Sequence, residues 1–302
     1  HAGRVTTTGC YNNTLGSCSM YNLTTGLRNA GLGSWALYAN TTGNNNTSLG
    51  SSSMECNTCG SDNVAAGQSA LYQNLSGSCN VAIGRDALYC NTTACYNTAV
   101  GSYALRYNTT GVNTAVGYRA LCSNTTGNYN NAFGCDVLLK NTTGSANVAS
   151  GQCSMQENIA GSCNVALGFR TLTYTTSACN NTAIGNQALY RNTTGIDNIA
   201  MGPSSLRENT TGNQNVAIGC GAIQANTIGS RNIGIGTVPL MSNTTGCDNA
   251  AIGCGALGSN IDGCYNQAIG FKALFSNLSA DNNTAIGMYA LCSNTTGPDN
   301  VA

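Results

Sequence analysis

The sequence is poor in charge, histidine, tryptophan and proline, and these scarcities exclude several classes of protein. Charged residues make up 7% of the 302 residues, with 11 basic and 11 acidic side chains and a formal net charge of zero. So few scattered charges form neither the basic face of a nucleic-acid binder nor the basic stripe of a lipid-surface binder. We therefore expect no nucleic-acid partner.

Long apolar runs are missing as well. No stretch approaches the roughly 18 apolar residues that a membrane-spanning helix needs, and the first residues do not form the basic-then-apolar pattern of a signal peptide. We expect no membrane span.

Groups of residues that could form a catalytic site are equally scarce. The only histidine is His1, acidic residues such as Asp62 and Glu208 stand alone, and the glycines do not form a phosphate-binding loop. The one C-x-x-C pair, Cys56 and Cys59, has no second pair or histidine with which to bind zinc. The sequence predicts no enzyme, no metal site and no cofactor.

What is present in abundance is a repeat. One glycine recurs every 17 residues, with a single interval of 16 between Gly101 and Gly117. We call this glycine position 0 and number the repeat forward to position 16. The anchors are Gly16, Gly33, Gly50, Gly67, Gly84, Gly101, Gly117, Gly134, Gly151, Gly168, Gly185, Gly202, Gly219, Gly236, Gly253, Gly270 and Gly287.

Other positions follow the same period. Position 4 is always Leu, Ile or Met, position 15 is small, and position 16 is usually aliphatic. A 17-residue unit rich in Gly, Asn and Thr is too short and too poor in helix formers for a helical pair. The pattern predicts an all-β fold: a single parallel β-solenoid, or β-roll, of about 17 coils over residues 1–302, with no internal domain boundary.

We expect two short strands in each coil, at positions 3–7 and 12–16, joined by turns at the anchor glycine and at the N-T-T-G segment. Coils stacked about 4.8 Å apart turn each position into a column. Leu105, Leu121 and Leu138 should then be consecutive neighbours along the axis.

The residue four before each anchor glycine, which is position 13 of a 17-residue repeat, is asparagine without exception. Stacked amides would hydrogen-bond along the axis and satisfy one another in the interior, whereas the simpler interpretation is that each asparagine starts a turn. Recurrence in every coil favours the buried ladder. Its predicted members include Asn29, Asn63, Asn97, Asn113, Asn130, Asn147, Asn164, Asn198, Asn215, Asn232, Asn249 and Asn266.

The aliphatic residue at position 16 is ambiguous. If positions 13 and 15 face inward, position 16 points outward along the strand and needs a second surface to cover it. A bend near the anchor glycine would instead turn it inside. The first arrangement implies laterally associated chains, and the second implies a self-sufficient rod.

The N-T-A-I-G, A-L and N-T-T-G elements, as at Asn97–Ala104, Asn108–Gly111, Asn113–Gly117 and Asn181–Leu189, resemble the repeats of bacterial and phage tail-fibre proteins. More distantly they resemble the head repeats of trimeric autotransporter adhesins. The resemblance covers nearly the whole chain and implies a left-handed parallel β-roll in a surface or tail fibre. A lateral trimer is the assembly implied by the adhesin heads. This chain departs from both groups in its many cysteines and in lacking a stalk, coiled coil or tip.

The chain has 17 cysteines, a number typical of an oxidising, extracellular setting. Cysteines about one coil apart would lie within disulfide reach, and the alternatives are buried thiols or a metal site. Cys122 and Cys292 have no such neighbour. The candidate bridges are Cys79–Cys95, Cys135–Cys153, Cys163–Cys179 and Cys247–Cys264.

Many asparagines begin N-x-S/T sequons, and eleven of them share position 7, at the start of the N-T-T-G turn. An exposed turn would present a stripe of N-glycans, although N-T-T-G is also good turn chemistry without any sugar. The candidates are Asn40, Asn74, Asn91, Asn108, Asn124, Asn141, Asn192, Asn209, Asn243, Asn277 and Asn294.

These observations predict a structural subunit of an extracellular filament or surface appendage, braced by disulfides and carrying glycans. The alternative is the shaft of an adhesin or tail fibre that presents a receptor-binding tip. His1 and Ala302 both interrupt a coil. We therefore expect either the continuation of a longer chain or end-to-end stacking of copies into a fibre.

Overall fold

The computed structural model describes residues 8–302, and His1 lies outside them. The chain divides into two compact units, the first ending at Asn147 and the second running from Val148 to Ala302. Every regular element is a strand of three residues. No helix in residues 8–302 has the length and hydropathy required to cross a bilayer.

The first unit contains eight parallel strands. Each pairs with the next in register, and the short repeat is accommodated without a slip because Thr98 still pairs with Thr114. The strands are β1 (Asn13–Leu15), β2 (Ala30–Leu32), β3 (Thr47–Leu49), β4 (Val64–Ala66), β5 (Val81–Ile83), β6 (Thr98–Val100), β7 (Thr114–Val116) and β8 (Asn131–Phe133).

The second unit contains nine parallel strands with the same sequential pairing. They are β9 (Val148–Ser150), β10 (Val165–Leu167), β11 (Thr182–Ile184), β12 (Ile199–Met201), β13 (Val216–Ile218), β14 (Ile233–Ile235), β15 (Ala250–Ile252), β16 (Gln267–Ile269) and β17 (Thr284–Ile286). The predicted all-β parallel solenoid is confirmed.

The column of large apolar residues at position 4 forms the core of each unit. Leu105, Leu121 and Leu138 are fully buried. The amide of Leu105 donates to the carbonyl of Ala120 at 3.0 Å, one coil further on, and the amide of Leu121 makes the equivalent bond to Val137. These leucines are therefore consecutive along the axis, as the period predicts.

The second strand predicted in each coil, at positions 3–7, is wrong. Residues at positions 2 and 4 adopt left-handed backbone conformations, as at Trp35 (φ 62°) and Leu37 (φ 53°), so the chain turns there instead of extending. A leucine in this region is strained by about 1–2 kcal/mol. Its complete burial and its bond to the next coil, from the Leu37 amide to the Ser53 carbonyl at 3.1 Å, offset that strain.

Candidate functional surfaces

The position-13 asparagines form the buried ladder that the sequence predicts. In the first unit, Asn46 Nδ2 donates to Asn29 Oδ1 at 3.1 Å and to the Gly60 carbonyl at 2.8 Å. The Asn46 backbone amide donates to the same Asn29 oxygen at 2.9 Å. In the second unit, Asn215 Nδ2 donates to Asn198 Oδ1 at 3.1 Å. In these coils each amide therefore bonds both to the ladder residue of the neighbouring coil and to backbone.

A second asparagine ladder, which the sequence analysis missed, runs along position 7. Asn209 Nδ2 donates to Asn192 Oδ1 at 2.8 Å and to the Gly212 carbonyl at 3.0 Å. Asn226 Nδ2 donates in turn to Asn209 Oδ1 at 2.7 Å. The first ladder joins the coils beside the strands, and this one joins them at the N-T-T-G corner.

The burial of the second ladder contradicts the prediction that these asparagines carry N-glycans. Ten of the eleven candidate asparagines have 0% exposure, and Asn294 in the last coil is half-buried. A glycan is attached through Nδ2, which here lies in the interior between the amides of neighbouring coils. The closed coil has no room for a sugar at these atoms. The buried positions are Asn40, Asn74, Asn91, Asn108, Asn124, Asn141, Asn192, Asn209, Asn243 and Asn277.

Thr175 interrupts the second ladder. It occupies position 7 between two asparagines, it is fully buried, and its hydroxyl has no hydrogen-bond partner. Among the described residues, Asn192 Nδ2 consequently donates to the Gly195 carbonyl but to no side chain of the preceding coil.

We expect Thr175→Asn to stabilise the chain. A new amide would donate to the preceding coil and accept from Asn192, removing a buried unsatisfied group that costs about 1–3 kcal/mol. Urea unfolding followed by circular dichroism would show a higher midpoint. The exposed neighbour Ser177 provides the control, since Ser177→Asn adds the same amide outside the ladder and should leave the midpoint unchanged.

The cysteines at the predicted bridges are thiols in the structure, and three of the four pairs lie on neighbouring coils of one unit. The Cys247 amide donates to Cys264 Sγ at 3.2 Å, and the Ser78 amide donates to Cys95 Sγ at 3.2 Å. Burial raises the pKa of the Cys264 thiol. Cys79, Cys163 and Cys179 are also thiols, while Cys135 lies in the first unit and Cys153 in the second. The disulfide bridges stay a prediction about the oxidised protein.

Two aspartates, Asp248 and Asp136, pair with arginines one coil away. Asp248 binds Arg231 through two contacts, Nε to Oδ1 at 2.6 Å and Nη2 to Oδ2 at 2.7 Å, and these bonds lower the pKa of its carboxyl. Asp136 accepts from Arg119 Nε at 2.7 Å. Exposed pairs of this kind contribute about 0–1 kcal/mol each. No group of three metal-binding side chains occurs within residues 8–302.

The outer face of the strands resolves the ambiguity at position 16. Position 15 points inward, as the 0% exposure of Ala217 and Ala251 shows. Position 16 points outward, and Ile218, Ile252 and Ile269 retain 38%, 39% and 41% exposure. No charged residue occurs at positions 14–16 of any strand. Position 14 also faces outward and is aliphatic in some coils but Thr, Asn or Gln in others. Each unit therefore presents an uncharged and mainly apolar sheet face, which we call the strand face.

Tyrosines occupy two further columns. At position 5 they stack on coil neighbours: the Tyr72 and Tyr89 rings lie 5.0 Å apart and nearly parallel. At position 12 they project into solvent, with Tyr96 and Tyr129 exposed by 70% and 71%. The second set is the more exposed of the two.

A cluster of tyrosines around Arg106 was not singled out from the sequence. The Arg106 guanidinium carbon lies 5.1 Å from the centre of the Tyr107 ring and 5.3 Å from that of Tyr103. Asp86 is 3.8 Å from the same guanidinium. Because the charge of Arg106 interacts with Asp86 and with tyrosine rings of the protein itself, the cluster holds neighbouring coils together.

The likeness to tail-fibre and adhesin repeats stays a prediction from the residues quoted above. Comparison of this chain with protein-family models gives no match, and comparison with curated proteins gives none either.

Proposed function

We propose that this protein is a structural subunit of an extracellular filament, in which the strand face of one chain packs on the strand face of another copy. The observation that carries the proposal is that face itself: a column of side chains at position 16 that is aliphatic in most coils, partly exposed and free of charge. The fold supports a structural role because most of the backbone hydrogen bonds join one coil to the next.

The size of the strand face is in the range that marks an interaction surface. In the second unit, strands of three residues stacked nine high cover about 10 Å by 43 Å at ordinary strand spacings, or roughly 430 Å². Exposed apolar patches of about 300–600 Å² are the largest on typical monomers and are often functional.

A second copy is the partner that matches this surface best. The aliphatic column repeats at the coil spacing, and another strand face has the same spacing. Two such faces can interdigitate about 10 Å apart, as in sheet-on-sheet packing. A lateral dimer or a lateral trimer would both cover the column.

The proposed extracellular location is supported by the cysteine content, because thiols stacked on neighbouring coils become bridges in an oxidising compartment. Cys247 and Cys264 are the pair best placed for this role. A bridge there would fix two consecutive coils and would resist unwinding of the second unit.

Charge on the strand face should abolish the lateral association. We expect the double variant Ile218→Lys/Ile252→Lys to sediment as a monomer under conditions in which the parent chain associates, because lysine ammonium groups cannot be buried between two apolar sheets. Analytical ultracentrifugation gives the mass, and electron microscopy shows whether filaments form.

The matched control places the same charges elsewhere. Ile228 and Ile261 lie in turns and are exposed by 55% and 45%. Ile228→Lys/Ile261→Lys should associate like the parent chain. Association that survives lysines on the strand face, or that is lost equally in both variants, would contradict the proposal.

A further inference from the structure

The short repeat between Gly101 and Gly117 lacks one particular residue. Val112 occupies position 11: its amide donates to Asn128 Oδ1 at 3.0 Å and its carbonyl accepts from the Tyr129 amide. Asn113 follows at once as the position-13 asparagine, its amide bonded to Asn97 Oδ1 at 2.7 Å. The residue that this coil omits is therefore the outward-pointing one at position 12.

The omission leaves a notch in the position-12 column. Tyr96 on the coil before and Tyr129 on the coil after form its walls, and Asn113, Thr114 and Asn131 contribute to its floor. The notch has a volume of about 180 Å³. It lies entirely within the first unit.

The separation of the two walls suits a single ring. Two coil steps amount to about 9.6 Å. Stacked rings lie about 4.5–7 Å apart between centres, so a ring between two others needs roughly 9–14 Å. Tyr96 and Tyr129 can therefore hold one flat ring between them, whereas consecutive position-12 residues on adjacent coils are only one step of about 4.8 Å apart.

The polar groups around the notch are neutral and available. The Thr114 hydroxyl and the Asn131 amide are half-exposed, and neither side chain forms a hydrogen bond with another described residue. No charged side chain lines the notch. The site thus offers two aromatic walls, each ending in a phenol, together with a hydroxyl and an amide.

We propose that this notch binds one pyranose ring of a neutral glycan. A pyranose has apolar C–H surfaces that pack against tyrosine rings and a rim of hydroxyls that match Thr114, Asn131 and the phenols. No cationic side chain lines the notch to pair with an anionic ring. A purely apolar ring would leave the polar groups without partners, which binding sites avoid. The inference stands independently of the proposed filament.

The experiment uses the full chain and two neutral hexasaccharides, cellohexaose and maltohexaose, as probes. Saturation-transfer difference NMR detects contact, and calorimetry gives the affinity. We expect at least one probe to bind. Tyr96→Ala and Tyr129→Ala should each weaken binding about two- to tenfold, since each removes one stacked wall.

A third variant fills the notch without removing either wall. Inserting one asparagine between Val112 and Asn113 restores the 17-residue period and should abolish binding, while thermal unfolding confirms that the chain is folded. Tyr265→Ala is the matched control, because Tyr265 has the same repeat position and 61% exposure but lies far from the short repeat in sequence. Its affinity should equal that of the parent chain.

Three results would overturn the inference. The first is that neither neutral hexasaccharide binds the parent chain. The second is that the insertion variant binds as well as the parent. The third is that an acidic hexasaccharide of galacturonate, or a phenylalanine dipeptide, saturates the notch while the neutral sugars do not.

Discussion

Replacing Asn209 with alanine should lower the free energy of unfolding by about 2.5–7.5 kcal/mol. The Asn192 oxygen and one N–H of Asn226 lose their partners at about 1–3 kcal/mol each, and the bond to Gly212, whose carbonyl still accepts from Asn198, adds about 0.5–1.5 kcal/mol. The side chain donates to Asn192 and Gly212 and accepts from Asn226. All of these groups lie in the interior, so no water replaces the lost amide.

Urea unfolding measured by circular dichroism tests this expectation. Thr211→Ala is the control, because Thr211 lies in the same N-T-T-G segment but is exposed. It should shift the midpoint little. Equal small shifts in the two variants would show that the position-7 amides contribute no more than ordinary turn residues.

Adding a methyl group to Gly168 should be comparably harmful, by about 2–6 kcal/mol, from backbone strain and overpacking of about 1–3 kcal/mol each. Gly168 has φ +134°, where side chains are rarely found, and an added Cβ would lie 2.8 Å from the Gly185 carbonyl oxygen. That oxygen belongs to the backbone of the next coil and cannot move aside.

A substitution at Gly287 allows the backbone strain to be measured without the overpacking. Its φ is +133°, but nothing lies within 4 Å of an added Cβ. We expect Gly287→Ala to cost about 1–3 kcal/mol, the strain alone, and Gly168→Ala to cost more. If thermal unfolding gave the same loss for both, contact with the next coil would not be the reason for glycine at position 0.

The period predicted the fold well because each coil contacts mainly its neighbours. Once the leucines of position 4 and the asparagines of position 13 recur at one spacing, in-register parallel stacking is the arrangement that buries both. The turn conformation of Leu37 could not be predicted in this way. Leucine favours helices and strands, and only the bonds to neighbouring coils make a left-handed leucine acceptable.

The buried sequons were misjudged because N-T-T-G describes an exposed turn and a buried ladder equally well. The sequence did contain a distinguishing signal. Asn57, Asn158, Asn226 and Asn260 occupy position 7 without forming an N-x-S/T sequon. Asparagine that persists where no sugar can be added indicates a structural requirement for the amide. The notch, by contrast, required coordinates, because the 16-residue interval does not reveal which position is missing.

The two asparagine ladders also give each unit a polarity. In both columns Nδ2 belongs to the later coil and Oδ1 to the earlier one, as in Asn46 to Asn29 and Asn57 to Asn40. Backbone dipoles largely cancel in a sheet, but these amides add head to tail, as peptide groups of about 3.5 D do in a helix. Side-by-side copies with opposed dipoles attract each other, so antiparallel pairing is the electrostatically favoured arrangement of neighbouring chains.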